Sequence, residues 1–197
     1  MNKKITLLSI CFAAALGLAA CSTGSAGSSM PGMDHSSTPM SSSSSPTKHN
    51  GADTMFAQMM IVHHQQAVEM SDTILAKAGI DQRVLDLAAA IKAAQGPEIA
   101  KMKTMLASWS EPEAMTGMMA MPGMMGDAEK NALSAATGTA ATKLFLTQMI
   151  AHHQGAVESA KAERSDGQDS AAVQLAENII KDQQLEIDKM KKILSSL

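Results

Sequence analysis

The chain has 197 residues, with 16 Lys and Arg against 19 Asp and Glu for a formal net charge of −3, and carries 18 Met but three Phe, one Trp and no Tyr. The balance becomes −5 once Lys3 and Lys4 leave with an N-terminal leader, and no basic cluster remains to attract nucleic acid or anionic lipid. One of the two Cys lies inside that leader and the other at its end, which excludes a disulfide, a thiolate metal site and a cysteine nucleophile; any soft ligand must be methionine.

Residues 1–20 read as an export signal: two lysines precede the apolar run Ile5 to Ala20, which is too short to span a membrane with tilt to spare. The signal ends in LAAC, Leu18 to Cys21, which resembles the lipobox of bacterial lipoproteins and implies cleavage before Cys21 and lipid on its sulfur. Residues 21–53 are Ser-, Gly-, Pro- and Thr-rich with almost no large aliphatic side chain, so they cannot bury enough surface to offset their ordering entropy. This stretch is expected to be a flexible tether, although it holds MPGMDH at Met30 to His35, then Met40 and His49.

Residues 54–197 form a domain of about 145 residues, large enough for one core of its own. Helical periodicity predicts a first helix over Thr54 to Lys77, a turn at AGID where Gly79 can supply a left-handed cap, and a second helix over Gln82 to Ser108. Gly96-Pro97 should kink that second helix, since proline removes a hydrogen bond and clashes with the preceding turn. A Met-rich loop at 110–126 follows, with MTGMMAMPGMMG at Met115 to Gly126; its MPGM repeats that at Met30 to Met33. A third helix is expected over Asp127 to Arg164, broken near Gly138, and a fourth runs from the SDGQD turn to the C-terminus.

The two helix pairs are copies. MFAQMMIVHHQQAVE, from Met55, aligns with LFLTQMIAHHQGAVE, from Leu144, at an offset of 89. LAAAIKAAQGPEIAKMKTML, from Leu87, aligns with LAENIIKDQQLEIDKMKKIL, from Leu175, at an offset of 88, and 10 of those 20 positions are identical. Four helices with short turns inside each pair predict an all-α, four-helix bundle of ferritin-like layout, built from a duplicated helix pair.

On a helical wheel, Phe56, His63, His64, Ala67 and Ile74 all fall within about 60° of Met60, so both histidines share the core stripe. The same holds for Phe145, Met149, His152, His153 and Ala156. A lone histidine on an apolar face is usually a satisfied core residue, but two duplicated pairs need partners against desolvation, and a metal ion uses several imidazoles at once. The second helices carry Gln95, Glu98, Met102 and their copies Gln183, Glu186, Met190 on their core stripes. Glu98 and Glu186 are read as hydrogen-bond partners that fix a histidine tautomer rather than as ligands, while Met102 and Met190 stand between core filler and ligand. Thioether with imidazole and no thiolate suits Cu(I) or Ag(I), tolerates Cu(II) and fits hard ions poorly; zinc through His and Glu would leave the methionines without a reason. The Met-rich loop reads as a flexible copper-capturing segment feeding the bundle, with an amphipathic lid as its alternative.

The twin F…MIxHHQxAV segments at Phe56 to Val68 and Phe145 to Val157, with QxxEIxxM at Gln95 to Met102 and Gln183 to Met190, resemble the domain of unknown function 305 family. That resemblance covers 53–197 and implies a ferritin-like bundle, often exported, with members associated with copper binding and resistance. It points to Met60, His63, His64, Met149, His152 and His153 as metal ligands, with Met102 and Met190 behind them. The copies differ where Met70 faces Ser159, so the halves need not bind equally.

The expected function is that of an envelope copper-binding lipoprotein that sequesters or hands on Cu(I) without turnover and contributes to metal tolerance. Its partners would be the metal ion, the membrane through Cys21, and a copper-donor or copper-acceptor protein. A ferritin-like di-metal oxidase is one alternative, but it wants Glu three residues before a ligand histidine, where this chain has Met60, Ile61, Met149 and Ile150. A structural or partner-binding helical lipoprotein without metal is the other.

Overall fold

Asn50 sets where the first helix begins. Its side chain accepts the amides of Ala52 and Asp53, at 2.8 and 3.1 Å, while its own amide donates to Asp53 Oδ2 at 2.6 Å. This capping box satisfies amides that a helix start leaves orphaned. The computed structural model describes residues 48–114 and 121–197. The expected leader, the lipid-bearing Cys21, nearly all of the tether, and Met115, Met118 and Met119 lie outside the described residues. Five helices follow in order: α1 (Gly51–Leu75), α2 (Gln82–Trp109), α3 (Asp127–Ala135), α4 (Gly138–Asp166) and α5 (Ser170–Leu194).

Sequence-based boundaries shift at both ends of α1. The helix starts inside the stretch expected to be tether, because the capping box organises it and because Asp53 is fully buried. Asp53 accepts the amides of Gln168 and Asp169, and Asn50 Nδ2 donates to the Asp166 carbonyl, so the start of α1 is fastened to the α4–α5 turn. At the other end the helix stops at Leu75 on a right-handed cap, Ala76, and Gly79 takes its positive φ of 71° later in the turn. The long third helix is divided at residues 136–137 into α3 and α4, with Gly138 at φ +53°. Helix α2 runs unbroken through Pro97. Pro97 and Ala93, whose carbonyl loses its amide partner, are both exposed, so the break in the hydrogen-bond ladder falls on the solvent side of the helix.

Packing follows the duplication. Helix α1 lies chiefly on α2, α4 chiefly on α5, and α1 meets α4 across the middle. One apolar cluster joins Phe56, Met60, Met102 and Leu106 to Ala156, Leu175 and Ile179; the other joins Phe145, Met149, Met190 and Ile193 to Ala67, Leu87 and Ile91. Shifting by the repeat offset turns one cluster into the other, for instance Leu87 into Leu175 and Ala67 into Ala156, so the copies are related by an approximate two-fold. Each wholly buried Leu, Ile, Met or Phe stabilises the fold by about 1.5–3 kcal/mol. Two such clusters can therefore carry a polar layer between them.

Candidate metal centre

That polar layer consists of His63, His64, His152 and His153, each with 0% of its surface exposed. The HH pairs sit where α1 and α4 cross, so the i, i+3 and i+4 neighbours of Met60 and Met149 turn inward together. His63 and His152 meet ring against ring, centroids 3.6 Å apart and planes tilted by 34°. His64 and His153 stand farther off, 6.4 and 6.2 Å from their sequence neighbours.

The outer imidazoles are held by carboxylates from the partner helices. His64 Nε2 lies 2.8 Å from Glu98 Oε2, and His153 Nε2 lies 2.7 Å from Glu186 Oε2. An ionised carboxylate accepts an N–H, which puts the proton of a neutral ring on Nε2 and leaves Nδ1 as a lone pair. Those Nδ1 atoms, together with both ring nitrogens of His63 and of His152, are buried without a hydrogen-bond partner. The side-chain amides of Gln95 on α2 and Gln183 on α5, one turn before Glu98 and Glu186, are buried and unpartnered as well.

Burial keeps the inner rings neutral. The His63 pKa is pushed down from 6.5 to about 3, first by desolvation and then by repulsion from His64 and His153; the nearby Pro122 carbonyl, not placed for a hydrogen bond, pulls weakly the other way. His152 is driven well below its ordinary value by desolvation first and then by His63, His153 and His64. Neutral imidazole is the form that donates a lone pair to a metal.

The thioethers do not gather at one point. Met60 and Met102, both 0% exposed, belong to one apolar cluster, and Met149 and Met190, also 0% exposed, belong to the other. Because α1 and α4 run antiparallel, Met60 and Met149 lie on opposite sides of the histidine layer. Each copy places a buried methionine one helical turn before a buried histidine pair, and the two copies meet at the His63–His152 contact. Among the described residues, no three His, Cys, Asp or Glu side chains are placed to hold an ion together. Orphaned imidazole nitrogens one helical turn from buried thioethers fit a soft cation.

Three further residues shape the centre that the sequence reading did not single out: Gln66, Gly123 and Gly155 seat the segment Met121 to Gly126 across the α1/α4 face. The available signal was the mismatch of Gln66 with Gly155 inside otherwise matching HHQ copies.

A second buried ionisable pair lies at the far end of α4. Asp53 faces Glu163, which is 2% exposed. Burial, and then Asp53 beside it, push the Glu163 pKa up from 4.5 to about 8. Burial would also raise Asp53, but Glu163 beside it and the amides of Asn50, Asp169 and Gln168 outweigh it and hold Asp53 below its ordinary value. Burial and the neighbouring carboxylate both favour the protonated form of Glu163, so of the two carboxyls it is the one that keeps its proton near neutral pH.

None of the described helices is long and apolar enough to cross a membrane. No protein of curated function matches the chain. Among solved structures, a DUF305 protein of Streptomyces coelicolor proposed to be secreted is 34% identical, with a TM-score of 0.70 over 74% of this chain and 91% of that one. A DUF305 fragment from Deinococcus radiodurans is 30% identical, with a TM-score of 0.69 over 75% and 98%. CopM in its Cu(I)-bound form is 31% identical, with a TM-score of 0.62 over 73% and 96%, and it is also known in Cu(II)-bound, silver-bound and apo forms. The family profile "Domain of unknown function (DUF305)" matches residues 53–194, and the chain belongs to that family.

Proposed function

We propose that this protein binds Cu(I), and Ag(I) in its place, at the histidine–methionine layer, and that it sequesters or hands on the ion and contributes to metal tolerance. The observation that carries this is the His63–His152 contact: two buried rings without a hydrogen-bond partner on any of their nitrogens, each one helical turn from a fully buried methionine, Met60 or Met149. Left unmade, each such polar atom costs about 1–3 kcal/mol, so a fold that keeps them is expected to use them. Support comes from CopM, a relative of the same fold whose solved forms hold Cu(I), Cu(II) and silver.

The rest of the reading follows from position. Glu98 and Glu186 orient His64 and His153 and leave the sulfur and nitrogen donors to the ion. The protein works in the cell envelope, tied to the membrane by lipid on Cys21, and exchanges copper with a donor or acceptor protein. In this reading it performs no turnover: an oxidase of ferritin type wants Glu three residues before a ligand histidine, where this chain has Met60, Ile61, Met149 and Ile150.

The test is a titration of the chain with Cu(I) and with Zn(II), each against a competing chelator. Tight Cu(I) binding, lost when His63, His64, His152 and His153 are all replaced by alanine, is expected, with zinc held far more weakly. Equal zinc affinity, or Cu(I) binding that survives the fourfold replacement, overturns the assignment.

A further inference from the structure

The segment Met121 to Gly126 lies on the bundle more tightly than side chains allow. A Cβ on Gly155 would sit 1.7 Å from the Pro122 carbonyl oxygen. One on Gly123, whose φ is +81°, would sit 2.3 Å from the Ala151 carbonyl oxygen and 3.1 Å from the His152 Cα. The strap's backbone therefore rests on α4 at His152 itself. Its far edge is clasped by α1: Gln66 Nε2 donates to the Met125 carbonyl at 2.8 Å, and the Met125 amide donates to Gln66 Oε1 at 2.7 Å. Gln66 and Gly155 are the same position in the two copies. One copy grips the strap and the other makes room for it, so a nearly symmetric layer receives an asymmetric cover.

That seat fixes where the strap's sulfur goes. Met121 is 3% exposed and joins the cluster that contains Met60 and Met102, while its neighbour Pro122 turns its carbonyl toward His63. On the opposite side of the layer the strap adds only the half-buried Met125 to the cluster of Met149 and Met190, whose other fully buried methionine, Met70, comes from α1 itself. We propose that Met121 is a metal ligand, the thioether that completes the donor set of Met60, Met102 and His63 and makes the two halves of the centre unequal. This rests on the metal-binding reading above and adds to it a residue and an order of filling. A strap sulfur already seated against the bundle costs little ordering when the ion arrives, whereas Met70 lies two helical turns beyond His63 on α1, so the Met121 side fills first.

Silver(I) titration of the whole chain, followed through its methionine methyl resonances, tests this. The first equivalent should move Met121, Met60 and Met102 together, before Met149 and Met190. Met121→Leu keeps the volume but should weaken the first equivalent by about tenfold or more and abolish the order, a loss of the size that support residues of metal sites give. Gly155→Ala, which displaces the strap and removes no sulfur, should do the same. If Met60 and Met102 shift while Met121 stays still, or if Met121→Leu binds as tightly as the parent chain, the strap ligand is overturned and the centre stands. If no methionine or histidine resonance moves at all, the centre and the strap ligand both fall.

Discussion

His63 and His152 come from different copies of the repeat, yet their ring centroids lie 3.6 Å apart in the middle of the bundle. Desolvation keeps both rings neutral, and none of their four nitrogens has a hydrogen-bond partner. The contact is therefore a poor stabilising element and a good donor pair.

Replacing both rings should separate stability from function. The double change His63→Leu with His152→Leu removes orphaned polar atoms from an apolar surround, so the metal-free fold is expected to gain about 1 kcal/mol or more. Thermal melts with and without silver would read both effects: a higher midpoint without metal and no further rise when silver is added.

Acid should weaken the metal-free fold through His63. Its pKa falls from 6.5 in the unfolded chain to about 3 in the folded one. Below pH 6.5 the unfolded chain takes up a proton that the folded chain refuses, so stability present above 6.5 is lost as pH drops towards 3. Urea midpoints at pH 7 and pH 4.5 should fall in that order, and His63→Leu should reduce the difference.

Base should weaken it through Glu163, for the opposite reason. The folded pKa is raised from 4.5 to about 8, so the stabilisation is complete below 4.5 and lost as pH rises through 8. Melting temperature should decline between pH 6 and pH 9, and Glu163→Gln, which stays neutral, should flatten that decline. An equal decline in the variant would remove Glu163 as its source.

Cutting the support of an outer ring should cost affinity without unfolding the chain. Glu98→Gln leaves the 2.8 Å contact with His64 Nε2 chemically possible but no longer charged. Metal affinity is expected to fall about 10-fold to 100-fold, with circular dichroism unchanged. Glu186→Gln should act in the same way through His153.

How much of this the sequence disclosed depends on what each feature is made of. The duplicated helix pairs, the core position of His63, His64, His152 and His153, and the break near Gly138 follow from periodicity and from one strong repeat, and these are visible in the helices that form. The contacts of Glu98 and Glu186 with histidine follow from spacing on a stripe. What spacing does not carry is which side of a crossing a residue lands on, so the division of Met60 with Met102 from Met149 with Met190 was not legible. The strap escaped for another reason: its contacts at Gly123 and Gly155 are backbone against backbone, and their one trace in the sequence is the mismatch of Gln66 with Gly155. Asp53 was assigned to the tether because local composition is polar there, whereas its burial depends on amides 115 and 116 residues away.

X-ray absorption at the copper edge of the chain loaded with one equivalent of Cu(I) tests the central claim most directly. The account predicts sulfur and nitrogen scatterers together, with the nitrogen lost when the four paired histidines become alanine. A first shell of nitrogen and oxygen alone, or a spectrum that those replacements leave unchanged, would contradict it.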